Sequence, residues 1–262
     1  MINENLQPIQ TQKTVSTGNL KARSASQVFW FSIMWLAGLI TLLVLLLVLG
    51  YVIVQGGKAI NWEFLTTAPR GGLSGEGGIS TTIGTTVYLV GLTLLVATPL
   101  GVGAAIYLIE YAGEQGLTSP ILRVLISIAN FAVETLAGIP SIIFGLFGYA
   151  LFVSTLQFGW SLLSASLAGA CLVLPTIIRT TEEALLAVPD DYRRGSLALG
   201  ATKWQTLHKV VLPAALPGII TGIILSVGRI ISETAVFFVT LGGSHRLPSS
   251  IMDGGRTLAL HL

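Results

Sequence analysis

The chain has 262 residues, of which 52% are hydrophobic and only 10% are charged, and its mean hydropathy is +0.80. Soluble domains carry charge on about a quarter of their residues, so this composition excludes an ordinary soluble protein and indicates a membrane protein with short loops. The net charge of +2 gives no reason to expect nucleic acid as a partner, and the single cysteine excludes a disulfide framework or a cysteine-based metal site.

Five apolar stretches follow a polar N-terminal segment. Residues 1–27 have no hydrophobic periodicity and are predicted to form a disordered tail. A bilayer core about 30 Å thick needs roughly 20 apolar residues in a helix. The predicted spans cover, in chain order, residues 28–54, 81–109, 130–153, 162–178 and 218–241. The predicted fold is an all-α polytopic membrane helix bundle in which residues 28–262 form one transmembrane domain.

Polar residues and glycines indicate where the second to fourth predicted spans end and how they pack. The segment 110–114 contains two glutamates, and we expect it to end the second span in water. Residues 121–153 are too many for one straight span, so we interpret them as an amphipathic segment up to about Asn130 followed by a span. In the fourth span, Ala168-Gly169-Ala170 predicts close approach of a neighbouring helix.

The distribution of lysine and arginine predicts the orientation. With the N-terminus inside, nine basic residues fall on the inner side, namely Lys13, Lys21, Arg23, Arg123, Arg179, Arg193, Arg194, Lys203 and Lys209. Four fall outside, namely Lys58, Arg70, Arg246 and Arg256. Cytoplasmic loops carry the excess of positive charge, so we expect a cytoplasmic N-terminus, a cytoplasmic loop at 179–217 and an extracytoplasmic C-terminus after five spans.

The loop 179–217 contains two short helical patterns. Pro189-Asp190-Asp191 is typical of a helix start, and Gly200 is predicted to end that helix with a positive φ. Thr202 and Gln205 have the spacing of a capping box that starts a second helix, which Pro213 is predicted to close.

The second of these helices is predicted to be amphipathic. Trp204, Leu207 and Val211 have the spacing of one apolar stripe, whereas the lysines at 203 and 209 lie off it. An exposed amphipathic helix of a membrane protein favours a partner with an apolar groove.

Three charged residues fall inside predicted spans. Arg229 and Glu233 have the i, i+4 spacing of one helix face, and each costs about 2.5–3.5 kcal/mol at mid-bilayer on insertion scales. They form either a structural ion pair or a polar patch on a substrate path, where Arg229 offers a fork of donors to an oxyanion. Glu134, beside the break at 138–140, either lines the path or satisfies freed backbone groups. No catalytic triad, phosphate-binding loop or metal site is apparent, so we expect neither an enzyme nor a bound cofactor.

The 179–217 loop resembles the cytoplasmic loop of binding-protein-dependent ABC importer permeases. That pattern is Glu-Ala-Ala, three residues, Gly, nine residues, then Ile-x-Leu-Pro. The matching positions are Gly200, Val210, Leu212 and Pro213, while the Glu-Ala-Ala positions hold Arg194, Gly195 and Ser196. The resemblance implies that the loop contacts a cytoplasmic ATPase through Arg194, Gly195, Ser196, Leu197, Gly200, Thr202, Trp204 and Leu207.

Further stretches resemble the membrane subunits of phosphate ABC importers: GGISTTIGTT, ATPLGVGAAIYLIEYA, ETLAGIPSIIFGL, VPDDYRRGSLALGATKW and GRIISETA. The segment WEFLTTAPRGG…GEGGI is more similar to the PstA-type subunit than to its PstC-type sibling. These resemblances imply a type I importer permease in the bacterial plasma (inner) membrane that carries phosphate by alternating access. The implied partners are a PstC-type permease, a cytoplasmic ATPase dimer that performs the ATP chemistry, and an extracytoplasmic phosphate-binding protein.

Such permeases usually have one more span, so we expect this chain to stop short of the full set. Two other functions stay open on sequence grounds. One is a permease for another oxyanion, such as sulfate or molybdate, and the other is a non-transporting membrane anchor or sensor.

Overall fold

The computed structural model describes residues 17–58, 60–69, 77–112 and 120–261, which are helical apart from loops and two isolated β-bridges. The chain divides into two compact units, residues 1–61 and 62–262. The helices are α1 Thr17–Gly57, α2 Trp62–Thr66, α3 Ser80–Ile106, α4 Pro120–Ala137, α5 Ser141–Gly148, α6 Leu162–Leu186, α7 Asp190–Ala198, α8 Lys203–Thr206, α9 Leu212–Ser232, α10 Ala235–Thr240 and α11 Leu258–His261. Three π-helical turns extend or join them, at Tyr107–Tyr111 after α3, Tyr149–Thr155 after α5 and Leu207–Val211 between α8 and α9.

The first unit consists mainly of α1. Its segment Ser26–Gly57 is long and apolar enough to cross a membrane. The expectation of a disordered tail is wrong for residues 17–27, because α1 begins at Thr17. This stretch contains leucine, lysine, alanine and arginine, which favour helix, so that α1 extends beyond the apolar segment toward the N-terminus. Residues 1–16 of the predicted tail lie outside the described ranges.

The second unit is built around α6, which packs against α3, α4, α5, α9 and α10. Small residues allow this: a Cβ atom on Gly148 of α5 would come within 2.5 Å of the Ala168 Cβ atom. A Cβ atom on Gly169 would lie 3.2 Å from the ring of Phe237 on α10. The predicted close approach at residues 168–170 is therefore confirmed, and bulkier residues there would force the helices apart.

Helices α6 and α9 run antiparallel in close contact. A Cβ atom on Gly218 would lie 2.6 Å from Ala184, and the same position on Gly222 would overlap Thr180. Continuing this register along α9 brings Arg229 about level with Val173, near the middle of α6. By this register Arg229 is expected at mid-depth in the bundle.

The predicted number of apolar segments agrees with the described helices. Four of them are long and apolar enough to span a membrane, and a bent pair formed by residues 126–137 and 141–155 gives a fifth candidate. This pair corrects the predicted span at 130–153, because the two parts meet at 109°. Pro140 has an extended ψ of 137° and is the N-cap of α5, and its ring cannot continue α4. The first segment of the pair therefore runs to Ala137 rather than to Asn130.

The boundaries of the last two predicted spans also differ. Helix α6 continues to Leu186 rather than ending at 178, and residues 203–232 form one continuous helical segment. Pro213 does not close the second loop helix, because it lies in the first turn of α9, where proline is tolerated. The predicted span 218–241 breaks instead at Glu233, whose backbone is extended with a ψ of 128°.

Candidate functional site

The first half of the 179–217 loop forms helix α7 between the predicted signals. Pro189 is the N-cap, and Asp190 and Asp191 occupy the first turn. Gly200 has a φ of +84°, its N–H donates to Leu197 O at 3.0 Å, and the next N–H donates to Ser196 O at 3.3 Å. These two bonds form a Schellman motif, so the predicted glycine end is confirmed.

The second half begins with the predicted capping box. The Thr202 N–H donates to the Gln205 side chain at 2.9 Å, and the Gln205 N–H donates to the Thr202 hydroxyl at 3.3 Å. The hydroxyls of Ser196 and Thr206 lie 2.9 Å apart and link α7 to α8. Local hydrogen bonds therefore hold α7, the turn and α8 together.

The predicted apolar stripe on the second helix holds for Leu207 and Val211 but is wrong for Trp204. Leu207 is 3% exposed and Val211 is fully buried, and both pack with Leu185 and neighbouring residues, whereas Trp204 is 62% exposed and stacks on His208. The π-helical turn Leu207–Val211 has more residues per turn than an α-helix, so the i, i+7 spacing no longer marks one face. Leu207, one of the eight residues implied for ATPase contact, is thus a core residue.

The other seven residues implied for this contact lie at or near the surface. Arg194, Gly195, Leu197, Gly200, Thr202 and Trp204 are exposed, and Ser196 is half-buried. Exposed apolar side chains recur along this part of the chain, at Leu186, Tyr192, Leu197, Leu199 and Trp204. Several exposed apolar residues so close in sequence are a reason to expect a partner protein at this surface.

Arg193 connects this loop to two long helices, and no pattern in the sequence pointed to it. Its guanidinium donates to Glu110 Oε1 at 3.1 and 2.9 Å, to Leu185 O and Val188 O at 2.8 Å each, and to Asp190 Oδ1 at 3.4 Å. The two carbonyls lie at the C-terminal end of α6, where basic groups are favoured.

Glu110 corrects the expectation that segment 110–114 lies in water. Its side chain is only 11% exposed and that of Arg193 only 18%, so the ion pair is largely buried. Next to it, the ammonium group of Lys203 on α8 lies 4.8 Å from the ring centroid of Tyr111. Two consecutive residues at the end of α3 therefore each contact a cation from the loop, while residues 113–119 lie outside the described ranges.

The predicted ion pair of Arg229 and Glu233 does not form. Glu233 lies beyond the last residue of α9, and its Oε1 accepts hydrogen bonds from the N–H groups of Ala235 and Val236 at 3.1 and 3.4 Å. The carboxylate thus caps the start of α10, a position that favours negative charge. Because the helix breaks before Glu233, the i, i+4 geometry assumed from the sequence is lost.

Arg229 is exposed on α9 and has no carboxylate within 4.0 Å among the described residues. Glu134 is likewise exposed on α4, and no contact in the described part of the chain joins it to Arg229 or Glu233. A charge at mid-bilayer facing lipid costs about 2.5–3.5 kcal/mol on insertion scales. At mid-bilayer, Arg229 is therefore expected to lie beside protein or water rather than lipid.

Comparison with protein families matches residues 97–259, more than half of the chain, to the family described as "Binding-protein-dependent transport system inner membrane component". The matched range includes α6, the 179–217 loop and α9. The chain belongs to this family. It is therefore a multi-pass component of an inner membrane, of the all-α permease fold.

Individual relatives within this permease family cover most of the chain. The phosphate transport system permease protein PstA of Mycobacterium leprae is 38% identical over 219 residues, which cover 82% of this chain and 69% of that protein. The probable ABC transporter permease protein YqgI of Bacillus subtilis is 33% identical over 225 residues, covering 81% of this chain and 74% of that protein. Among solved structures, the inward-facing MetNI methionine ABC transporter matches with a TM-score of 0.46 and 25% identity, covering 58% of this chain and 68% of that chain.

Proposed function

We propose that this chain is one of the two permease subunits of an ATP-driven importer that carries inorganic phosphate across the bacterial inner membrane. The observation that carries the proposal is Arg229, an exposed arginine at mid-depth with no acidic partner in the described residues. The relatives named PstA support phosphate as the substrate.

The chemistry of Arg229 suits an oxyanion. A guanidinium is planar, always charged and able to donate two parallel hydrogen bonds to one anion. A hydrogen bond to a charged group contributes about 1.5–3 kcal/mol, enough to lower the barrier for a phosphate that has left water. Glu233 supports the site indirectly, because it fixes the break between α9 and α10 just after the arginine.

Two of the proposed partners are assigned to exposed surfaces of this chain, namely the face of α9 that carries Arg229 and the apolar side chains of the 179–217 loop. A PstC-type sibling permease would cover the exposed face of α9, so that Arg229 faces the path between the subunits. A cytoplasmic ATPase dimer, which performs the ATP chemistry, would dock on the exposed apolar side chains of the 179–217 loop. An extracytoplasmic phosphate-binding protein would deliver the substrate. We propose a cytoplasmic N-terminus and an extracytoplasmic end for this chain, on the basis of the lysine and arginine distribution.

The test is uptake of labelled phosphate by vesicles that contain the sibling permease, the ATPase and the binding protein, with and without this chain. We expect ATP-dependent uptake only with the chain, and competition by unlabelled phosphate but not by sulfate or molybdate. Competition by sulfate or molybdate in preference to phosphate would identify another oxyanion as the substrate. Uptake of equal rate without the chain would leave it as an anchor or sensor and overturn the proposal.

A further inference from the structure

We infer that Glu110 and Tyr111, in the π-helical turn that follows α3, are positioning residues that couple movement of the 179–217 loop to α3. The inference rests on the proposed function, since an ATPase docked on the loop supplies the movement. Both residues lie outside the loop, in the π-helical turn Tyr107–Tyr111.

The contacts on α3 come from two different loop helices. Arg193 of α7 bonds twice to Glu110, and Lys203 of α8 lies over the ring of Tyr111. Tyr111 in turn stacks on Tyr107, with 6.3 Å between ring centroids. The last turn of α3 is thus held from both halves of the loop.

The loop is built to move as one body. The Schellman motif at Gly200, the capping box at Thr202 and the Ser196–Thr206 hydroxyl contact join α7 to α8. A displacement of α7 therefore displaces Arg193 and Lys203 together, and with them the groups that they bind on α3.

The ion pair is placed to transmit such a displacement. Both side chains are largely buried, and hydrogen bonds between charged groups strengthen where water is scarce. The same guanidinium also holds two carbonyls at the end of α6. Moving α7 away from α3 would therefore break charged hydrogen bonds with two helices at once, so a joint movement is favoured.

Two π-helical turns lie where such a movement would be taken up. One, Tyr107–Tyr111, contains both positioning residues, and the other, Leu207–Val211, joins α8 to α9. A π-helical turn replaces the i→i+4 hydrogen bonds of an α-helix with i→i+5 bonds, as in Ala112 N–H to Tyr107 O at 3.0 Å, and such turns frequently occur at functional sites. The loop is therefore connected to both α3 and α9 through π-helical turns.

The first test uses Glu110→Gln, which keeps the size and acceptor of the side chain but removes its charge, and Tyr111→Leu, which removes the aromatic ring. We expect both complexes to assemble, and phosphate uptake per ATP hydrolysed to fall by a factor of about ten in Glu110→Gln, the size of one charge-assisted hydrogen bond. A smaller fall is expected in Tyr111→Leu, which loses the cation–π contact with Lys203. Asp190→Asn and Tyr111→Phe are the matched controls. Asp190 contacts the same guanidinium but its side chain is 77% exposed, and phenylalanine keeps the ring face.

A second measurement does not depend on the substrate. Spin labels at Gly103→Cys on α3 and Asp191→Cys on α7, in a Cys171→Ala background, report the distance between the two helices. Both positions have room for a label, because no described atom lies within 4 Å of a Cβ atom at Gly103 and Asp191 is exposed. We expect ATP binding to leave this distance unchanged in the otherwise native complex and to lengthen it in Glu110→Gln.

Wild-type coupling in both Glu110→Gln and Tyr111→Leu would overturn the inference, and so would an equal ATP-dependent distance change with and without Glu110. If Glu110→Gln fails to assemble, the comparison of Tyr111→Leu with Tyr111→Phe decides, since equal coupling of these two would also overturn it. A native complex that shows the joint movement but carries no phosphate would contradict the proposed function and leave this inference standing.

Discussion

Arg193 and Arg229 are both arginines in or beside apolar helices, but their surroundings are opposite. Arg193 is mostly buried, pairs with Glu110 and caps two carbonyls of the α6 end. Arg229 is exposed on α9, and no carboxylate of the described residues lies within 4.0 Å of it. The guanidinium of Arg193 donates to groups of this chain. The guanidinium of Arg229 is instead exposed to a ligand or a partner subunit beside α9.

This difference indicates a structural, positioning role for Arg193 and a role in transport for Arg229. A buried charge whose hydrogen bonds are complete contributes to one fixed arrangement, and removing it leaves its partner uncompensated. A charge at mid-depth without an internal partner is costly in lipid and is therefore expected at a substrate path or a subunit interface. The two arginines should accordingly respond differently to substitution.

The largest expected effect is on stability at Arg193. Arg193→Ala leaves Glu110 buried without a counter-charge and should lower the free energy of unfolding by about 3–5 kcal/mol. The measurement is thermal unfolding of the purified chain in detergent. The neighbouring Arg194→Ala, at an exposed position, is the control and should change stability by less than about 0.5 kcal/mol. If the two variants lower stability equally, the ion pair of Arg193 with Glu110 does not contribute to stability as proposed.

Arg229 should show the reverse behaviour. Arg229→Gln should assemble at wild-type abundance, yet lose phosphate uptake per complex by about ten- to a hundredfold, the value of one hydrogen bond to a charged group. Arg229→Lys keeps the charge but not the planar fork and should also lower uptake strongly. Thr221→Val, an exposed position on the same helix whose hydroxyl donates to Pro217 O at 2.9 Å, is the control. Loss of assembly rather than uptake would make Arg229 a structural residue like Arg193.

A smaller effect is expected where the loop turns at Gly200. Gly200→Val should insert normally but fail to stimulate ATP hydrolysis, because a β-branched residue opposes the positive φ by about 1–2 kcal/mol. Gly200→Asn is the matched control, since asparagine tolerates this conformation. Among the described residues, no neighbouring atom lies within 4 Å of a Cβ atom at Gly200, so the difference between the variants reports backbone conformation rather than crowding. Normal ATPase stimulation in Gly200→Val would exclude the loop geometry from coupling.

The smallest effect is expected at Glu233. Glu233→Gln keeps an oxygen that accepts from the start of α10 and should retain uptake, whereas Glu233→Ala removes the cap and should cost about 1 kcal/mol of stability. The double variant Arg229→Gln with Glu233→Gln tests the ion pair assumed from spacing. Restored uptake in that variant would show that the two charges only compensate each other structurally, and it would contradict the proposed role of Arg229 on the substrate path.

The sequence alone predicted the features that depend on neighbouring residues. The number of apolar segments follows from composition over roughly 20 residues at a time. The capping box at Thr202 and the glycine end at Gly200 follow from side chains and backbone conformations within a few positions. The resemblance of the loop to importer permeases rested on the same local pattern, and the family match bears it out.

Tertiary structure decided which of these local features face each other. Glu110 and Arg193 are 83 residues apart, so no spacing rule joins them, and only the packing of α7 against the ends of α3 and α6 does. The π-helical turn at Leu207–Val211 buried Leu207 and left Trp204 exposed, although both have the spacing of one stripe. Glu233 left the helix because the N–H groups at the start of α10 offered its carboxylate hydrogen bonds. In each case the sequence determined which residue types were present. Their contacts were determined by the hydrogen bonds and apolar contacts that the folded chain can make between distant segments.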